Sequence, residues 1–313
     1  MRTTLRPFLL LLTALLSSTA ALGQEQQHAG APTMRWMVQD IPPAFSYPTG
    51  RPPQRVSDLG NGEVDGFLRL LIGQMPQYRH EFVEAGLPRF EALVRQGQGL
   101  CSLLHVRTPE RLSWLYFTHL YPPLLSRQLH VVVRSDRLAR FEVDGQALQL
   151  SELLRRRDMV GLLPKDRAFG PRIDALLLAQ GERAPKRVVA GRTMNLLPML
   201  RAGRMDYTLE YPAVLAEFLH GGSGGGGSGG DADLVALPIA EGRSTPVATA
   251  ACGRNPEGRR AIEAIDAAVR RLAQDPQREA LLRSWRGDQQ DEQDRQRLHR
   301  YMDERARGGA QIE

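Results

Sequence analysis

From Met34 onward the apolar residues of this chain change period again and again, from the two-residue repeat of a strand to the three- or four-residue repeat of a helix and back. That alternation constrains the fold more than any other feature, because a polypeptide that keeps switching period with short connections builds an α/β structure with mostly parallel sheets. Met34 to Val38 reads as a short strand. The segment from Pro42 to Pro53 holds five prolines and reads as a shaped loop. Phe67, Leu68, Leu70, Leu71 and Met75 fall at helical spacing after Gly66. A strand at Arg79 to Val83, a helix from Pro88 to Gln96 and a strand at Leu100 to Leu104 follow, with Pro88 suited to a first helical turn. Leu129 to Val133 is a strongly β-prone run.

The same alternation continues through a helix at Ser151 to Arg156, strand Met159 to Leu163, helix Pro171 to Ala179 and strand Arg187 to Val189. A helix over Thr193 to Ala202 has Thr193 as its expected N-cap. Strand Met205 to Leu209 then leads into a helix from Pro212 to Leu219. Gly221 to Gly230 holds only Gly and Ser and reads as a flexible surface-loop insertion, because the strand Leu234 to Ile239 follows directly. Val247 to Cys252 is a further strand. Ile262, Ile265, Val269 and Leu272 mark one face of a long helix, and Leu281, Leu282 and Trp285 mark another. From Gln289 to the end the chain is almost wholly charged and polar, and its composition predicts a solvated helix or a frayed tail.

The N-terminus has the tripartite pattern of a secretory signal. Arg2 and Arg6 precede an apolar run from Pro7 to Leu16, and small residues follow at Ser17, Ser18, Ala20, Ala21 and Gly23. The apolar run is shorter than the roughly 20 residues of a membrane-spanning helix. Residues 1–23 are therefore expected to be a cleaved signal peptide, with Ala20 as the alternative cut, and 24–33 a flexible leader. No cysteine follows the small residues to take a lipid. The expected location is the periplasm of a bacterium.

Cleavage removes two arginines from a formal charge of +6, leaving +4. Apart from Lys165 and Lys186 every basic residue except histidine is arginine, and the arginines are interleaved with acids. A high isoelectric point in that pattern gives a solvated cationic surface rather than the basic stripe of a nucleic-acid binder. Cys101 and Cys252 are the two cysteines of the chain. In an oxidising compartment they read first as a disulfide, with two buried thiols as the alternative. Closing a loop of that size is worth about 5 kcal/mol in the chain-entropy picture. Neither has a neighbour at metal-ligand spacing, so no metal or other cofactor is expected.

Several short motifs, in order, resemble family 3 of the bacterial extracellular solute-binding proteins. Asp40-Ile41-Pro42-Pro43-Ala44-Phe45 resembles that family's early loop, which carries an aromatic into the cleft. Gly66-Phe67 resembles the opening of its first helix. Thr108-Pro109-Glu110-Arg111, with Phe117-Thr118 and Tyr121-Pro122 behind it, is the most specific match. The resemblance runs from Met34 to Trp285. It implies a two-lobed periplasmic binding protein type II fold, each lobe a mixed, mostly parallel sheet flanked by helices. Residues 34–125 and 245–288 would form lobe 1, 126–244 lobe 2, and 289–313 a polar C-terminal helix or tail. It also places Cys101 and Cys252 together in lobe 1.

By the same resemblance Arg111 pairs with a solute carboxylate, for which a guanidinium offers a planar two-pronged donor. The expected ligand contacts are Phe45, Tyr47, Ser102, Arg111, Arg167, Phe169, Glu210 and Tyr211. The second lobe departs from the family pattern, since Tyr211 stands where an acid would meet an ammonium group, and Arg167 adds a cation. An anionic or aromatic solute then fits better than an ordinary α-amino acid. The implied function is a monomeric protein that closes on a small solute and delivers it to an inner-membrane ABC permease. A periplasmic sensor subunit is the alternative. A dehydratase-like enzyme is a third reading, in which Glu210 or Asp166 would act as base. The sequence contains no nucleophile elbow or phosphate loop to support catalysis, and no catalytic residue is assigned. His105, just past the central strand, is the one histidine to watch as a base, though a histidine in that place is more often a satisfied polar residue.

Overall fold

The computed structural model describes residues 30–122, 128–141, 147–165, 167–190, 195–221, 233–243, 247–286 and 292–313. The signal peptide, most of the leader, Asp166, Thr193 and nearly all of the Gly/Ser insertion lie outside these residues. Strand β1 (Thr33–Val38) pairs in parallel with β2 (Arg79–Glu84), and α1 (Glu63–Gly73) crosses between them. The Asp65 carboxylate accepts the Gly62 N–H at 3.1 Å and the Ser46 N–H at 2.8 Å, so one side chain caps α1 and pins the proline-rich loop to it. After α2 (Leu87–Arg95) and the two-residue β3 (Cys101–Ser102), β4 (Leu115–Tyr121) closes the first pass through this lobe. The chain returns later as β10 (Ala248–Gly253), which inserts antiparallel between β3 and β4. The resulting sheet has the order β2-β1-β3-β10-β4.

Cys101 and Cys252 are paired residues on β3 and β10 and are joined by a disulfide, with Cα atoms 4.2 Å apart. The helix α7 (Pro256–Gln274) lays Ile262, Ile265, Val269 and Leu272 on this sheet as fully buried residues, the face that their spacing predicts. Asn255 caps α7 by accepting the Gly258 N–H at 2.7 Å. α8 (Arg278–Arg286) brings Trp285 against Phe67 and Tyr121, with ring centroids 4.8 and 4.9 Å away. Gly66 is required there. A Cβ on it would stand 2.7 Å from Trp285 Cδ1.

The second lobe contains β5 (His130–Arg134), α3 (Leu150–Leu153), β6 (Leu162–Pro164), α4 (Pro171–Ala179), β7 (Lys186–Val188), α5 (Leu197–Arg201), β8 (Tyr207–Glu210), α6 (Pro212–Gly221) and β9 (Leu234–Pro238). β5 runs antiparallel between β8 and β9, while β6 and β7 are parallel. A parallel bridge from Gly161 to Tyr207 joins the two pieces. The lobe therefore repeats the first: one antiparallel strand set into an otherwise parallel sheet. Gly161 permits the join, because a Cβ there would meet Tyr207 Cζ at 2.3 Å.

Several elements start later or end earlier than their apolar patterns predict. The expected strand Met159 to Leu163 begins at Leu162, since the Val160 carbonyl accepts the N–H groups of Asp206 and Tyr207 before regular pairing starts. The helix expected from Thr193 begins at Leu197 with Pro198 in its first turn, where a missing N–H costs nothing.

The C-terminal segment differs most from expectation. Instead of a solvated helix or frayed tail, α9 (Glu292–Arg307) docks on lobe 1 with Asp294, Leu298, Met302 and Arg305 buried. Beyond it, the Phe117 and Glu313 backbones exchange two hydrogen bonds at 3.0 Å, which adds the last residues to the edge of β4. No described helix is long and apolar enough to cross a membrane.

Candidate functional site

Open α/β sheets place their binding sites outside the carboxyl ends of their parallel strands. In lobe 1 those ends are Val38, Glu84, Ser102 and Tyr121, and in lobe 2 they are Pro164, Val188, Glu210 and Pro238. A depression of 220 Å³ lies at the lobe-1 edge, lined by Gln39, Asp40, Glu84, Ala85, Gly86 and Arg89.

Arg111 begins a short turn after Thr108, whose Oγ1 accepts the Arg111 N–H at 3.2 Å. Its guanidinium donates from Nη1 to the Val106 carbonyl at 2.9 Å, which holds one end of the fork. Glu110, the neighbour that could have paired with it, is held elsewhere. It accepts from Trp114 Nε1 at 2.8 Å and from Arg95 at 3.4 Å. Behind this loop His105 is enclosed by Phe90 and Trp114. Burial drives its pKa well below 6.5, with the Arg111 charge acting in the same direction. It is a neutral, packed imidazole.

In lobe 2, Arg167 meets Glu210 through two parallel contacts of 2.7 Å, Nη1 to Oε2 and Nη2 to Oε1. Glu210 Oε1 also accepts the Tyr211 N–H at 2.9 Å. The Arg167 guanidinium lies 5.3 Å from the Phe169 ring centre and 5.4 Å from that of Tyr211. Burial alone would weaken its charge, but the Glu210 carboxylate more than offsets that and holds Arg167 above its ordinary pKa. Arg187 lies on Phe169 as well, at 5.1 Å, and donates to the Arg167 carbonyl at 2.7 Å.

Asp174, in the first turn of α4, accepts the N–H groups of Phe169 and Gly170 at 3.0 and 3.1 Å. Burial pushes its carboxyl up, while those bonds and the charges of Arg187 and Arg111 act the other way.

Four of the expected contacts are buried within the lobes. Phe45 is fully buried and Tyr47 is 7% exposed, both packed in the lobe-1 core. The bridge from Ile41 to Phe45 folds the loop back on itself. Ser102 is also fully buried, and its Oγ accepts the Leu104 N–H at 3.0 Å and pairs with His105 Nδ1 at 2.9 Å. It shapes a turn. Phe169 is 1% exposed and belongs to the lobe-2 core. Arg111, Arg167, Glu210 and Tyr211 lie at the strand edges, where Arg167 pairs with Glu210. Sequence reasoning missed Asp174, whose signal was an acid three residues into a helix opened by Gly170-Pro171. It also missed Arg187.

No protein-family model matches the sequence, and no curated protein is similar to it. Solved structures match the fold. A protein from work on glutathione import via GshT and the cystine ABC importer of Streptococcus mutans aligns with a TM-score of 0.58 at 11% identity, over 84% of this chain and 99% of that one. A periplasmic His/Glu/Gln/Arg/opine family-binding protein from Silicibacter pomeroyi, in complex with lysine, aligns at 0.55 and 13%, over 83% and 99%. The Bordetella pertussis BvgS VFT2 domain aligns at 0.53 and 17%, over 84% and 95%. The chain thus has the two-lobed fold that recurs in solute-binding proteins of amino-acid ABC transporters.

Proposed function

We propose that this chain is a periplasmic solute-binding protein that closes two lobes on a small polar or anionic solute and delivers it to a membrane transporter. The observation that carries the proposal is the two-lobed fold, which aligns with solute-binding proteins over 83–84% of this chain, with Arg111 in the loop after β3 and the Arg167–Glu210 pair at the ends of β6 and β8. Sites between two lobes are the usual place for a small ligand, and a guanidinium there is a carboxylate donor. The fold likeness to binding proteins of ABC importers supports a carrier over an enzyme. His105, behind the Arg111 loop, is sealed between aromatic rings and in no position to act as a base; His130, which pairs in register with Glu210, is held by the Gln128 carbonyl through Nδ1.

The test is native mass spectrometry and thermal shift on the protein starting at Gln24, alongside an Arg111→Ala variant. A small carboxylate that co-purifies with the parent, raises its melting temperature and is lost in the variant supports the proposal. An empty protein that amino acids, organic acids and peptides all fail to stabilise counts against it.

A further inference from the structure

Arg111 is held by the loop that precedes it. Thr108 Oγ1 accepts its N–H at 3.2 Å, and the Val106 carbonyl accepts from its Nη1 at 2.9 Å. The loop has supports of its own on two sides. From β10, Thr249 donates its hydroxyl to the His105 carbonyl at 2.7 Å. Arg107, which lies between the two residues that hold Arg111, pairs with Glu313.

Glu313 is brought there by the sheet edge. Its backbone exchanges two hydrogen bonds of 3.0 Å with Phe117 on β4, Ile312 bridges to Thr118, and the Gln311 N–H donates to the buried Asp266 carboxylate at 3.0 Å. Asp266 also receives Arg305 of α9 at 2.8 Å. Direct contacts therefore run from α9 through residues 311–313 to the Arg111 loop, and the last link joins residues 206 positions apart in sequence. An exposed ion pair between two mobile side chains contributes little, because both must be immobilised to form it. Here the Glu313 backbone is already fixed by β4, so less freedom is lost on pairing.

From these contacts we infer that residues 311–313 brace the Arg111 loop, and that Arg107 and Glu313 are positioning residues for the solute site. They act by holding the residues that hold Arg111. The inference rests on the solute-binding proposal and extends it to a segment remote from Arg111 in sequence.

The experiment uses the parent, Arg107→Gln, Glu313→Gln, the double variant, and the reversed pair Arg107→Glu with Glu313→Arg. Both side chains are 40% exposed, so all four variants should fold and keep the urea midpoint of the parent. Amide hydrogen exchange over residues 103–112 is measured first, in the solute-free proteins. It should quicken by about two- to fivefold in each single variant, no further in the double, and slow again in the reversed pair. Calorimetry with glutamate, leucine, glutarate and 3-phenylpropionate then reads binding. Whichever probe binds the parent should lose about two- to fivefold in affinity in each single variant and regain it in the reversed pair, which a role in stability alone would not produce. Loop exchange that stays at the rate of the parent, or single effects that simply add in the double variant, overturns the inference and leaves the solute-binding proposal standing. Faster exchange with unchanged affinity also overturns it, because the loop would then be braced without effect on the site. A parent that binds none of the amino acids, organic acids and peptides brings down the solute-binding proposal, and this inference with it.

Discussion

Arg305 and Asp266 form an ion pair from which water is excluded: Nη2 lies 2.8 Å from Oδ1, and the two side chains are 0% and 1% exposed. The same carboxylate accepts from Thr118 Oγ1 at 2.8 Å and from the Gln311 N–H at 3.0 Å. It therefore ties α7, β4 and the segment after α9 together. Removing Arg305 leaves the buried carboxylate with Arg270 at 3.2 Å as its one remaining cation among the described residues. Arg305→Met should therefore cost about 2–3 kcal/mol, less than for a wholly uncompensated charge, whereas an Arg305→Met, Asp266→Leu double variant should cost less still. Urea unfolding of the three proteins checks this. A loss below about 1 kcal/mol in the single variant would show that α9 is not part of the cooperative unit.

Asp266 also sets an acid limit. Burial pushes its carboxyl up, but the bonds from Arg305, Gln311 and Thr118 more than offset this, so it titrates below the ordinary 3.8. A carboxyl whose folded pKa is depressed contributes stability that is complete above its unfolded value and is lost as pH falls through the folded one. Melting temperature should drop as pH falls below about 4, and the drop should be shallower in Asp266→Asn. Equal acid sensitivity in both proteins would assign the effect to other carboxyls.

The disulfide makes a separate prediction. Cys101 and Cys252 are both buried and lie 151 residues apart in sequence. Replacing both by alanine should lower stability by about 2–5 kcal/mol, since the open chain gains conformational freedom when it unfolds. A reductant should have little effect on the native parent and should lower its urea midpoint once the chain opens. A parent that is reduced as fast as an exposed model disulfide would contradict the burial of the bond.

How far these features can be read in the sequence depends on whether their partners are local. The face of α7 is legible because Ile262, Ile265, Val269 and Leu272 repeat with the period of one helix. The cysteine pair is legible because an exported chain has few other uses for two cysteines. The pairing of Arg167 is not legible, because its partner Glu210 lies 43 residues away and nothing local announces it. Phe45 and Tyr47 sit in the sequence context expected of cleft aromatics, but both pack in the lobe-1 core. The docking of α9 rests on four residues, Asp294, Leu298, Met302 and Arg305, and two of them are charged. A hydropathy pattern cannot register a stripe whose burial depends on a buried ion pair.

His105 carries the prediction with the clearest pH window. The ring is 3% exposed, packs 4.3 Å from the Phe90 ring centre and pairs with Ser102 through Nδ1. Burial and the nearby Arg111 cation both disfavour its protonated form, so its folded pKa lies well below 6.5. The facing charges are that cation, with Glu110 and Arg95 on the far side of Trp114. A histidine buried in its neutral form binds a proton more readily when unfolded. Its contribution is therefore complete above the unfolded value of 6.5 and is lost as pH falls toward the folded one. The parent should lose stability steadily between about pH 6.5 and 5, whereas His105→Gln should be less stable at neutral pH and flatter across that window. Denaturant midpoints measured at half-unit pH steps decide the matter. Parallel slopes for the two proteins would mean that another group titrates there, and His80, also pushed down by burial, is the first to replace.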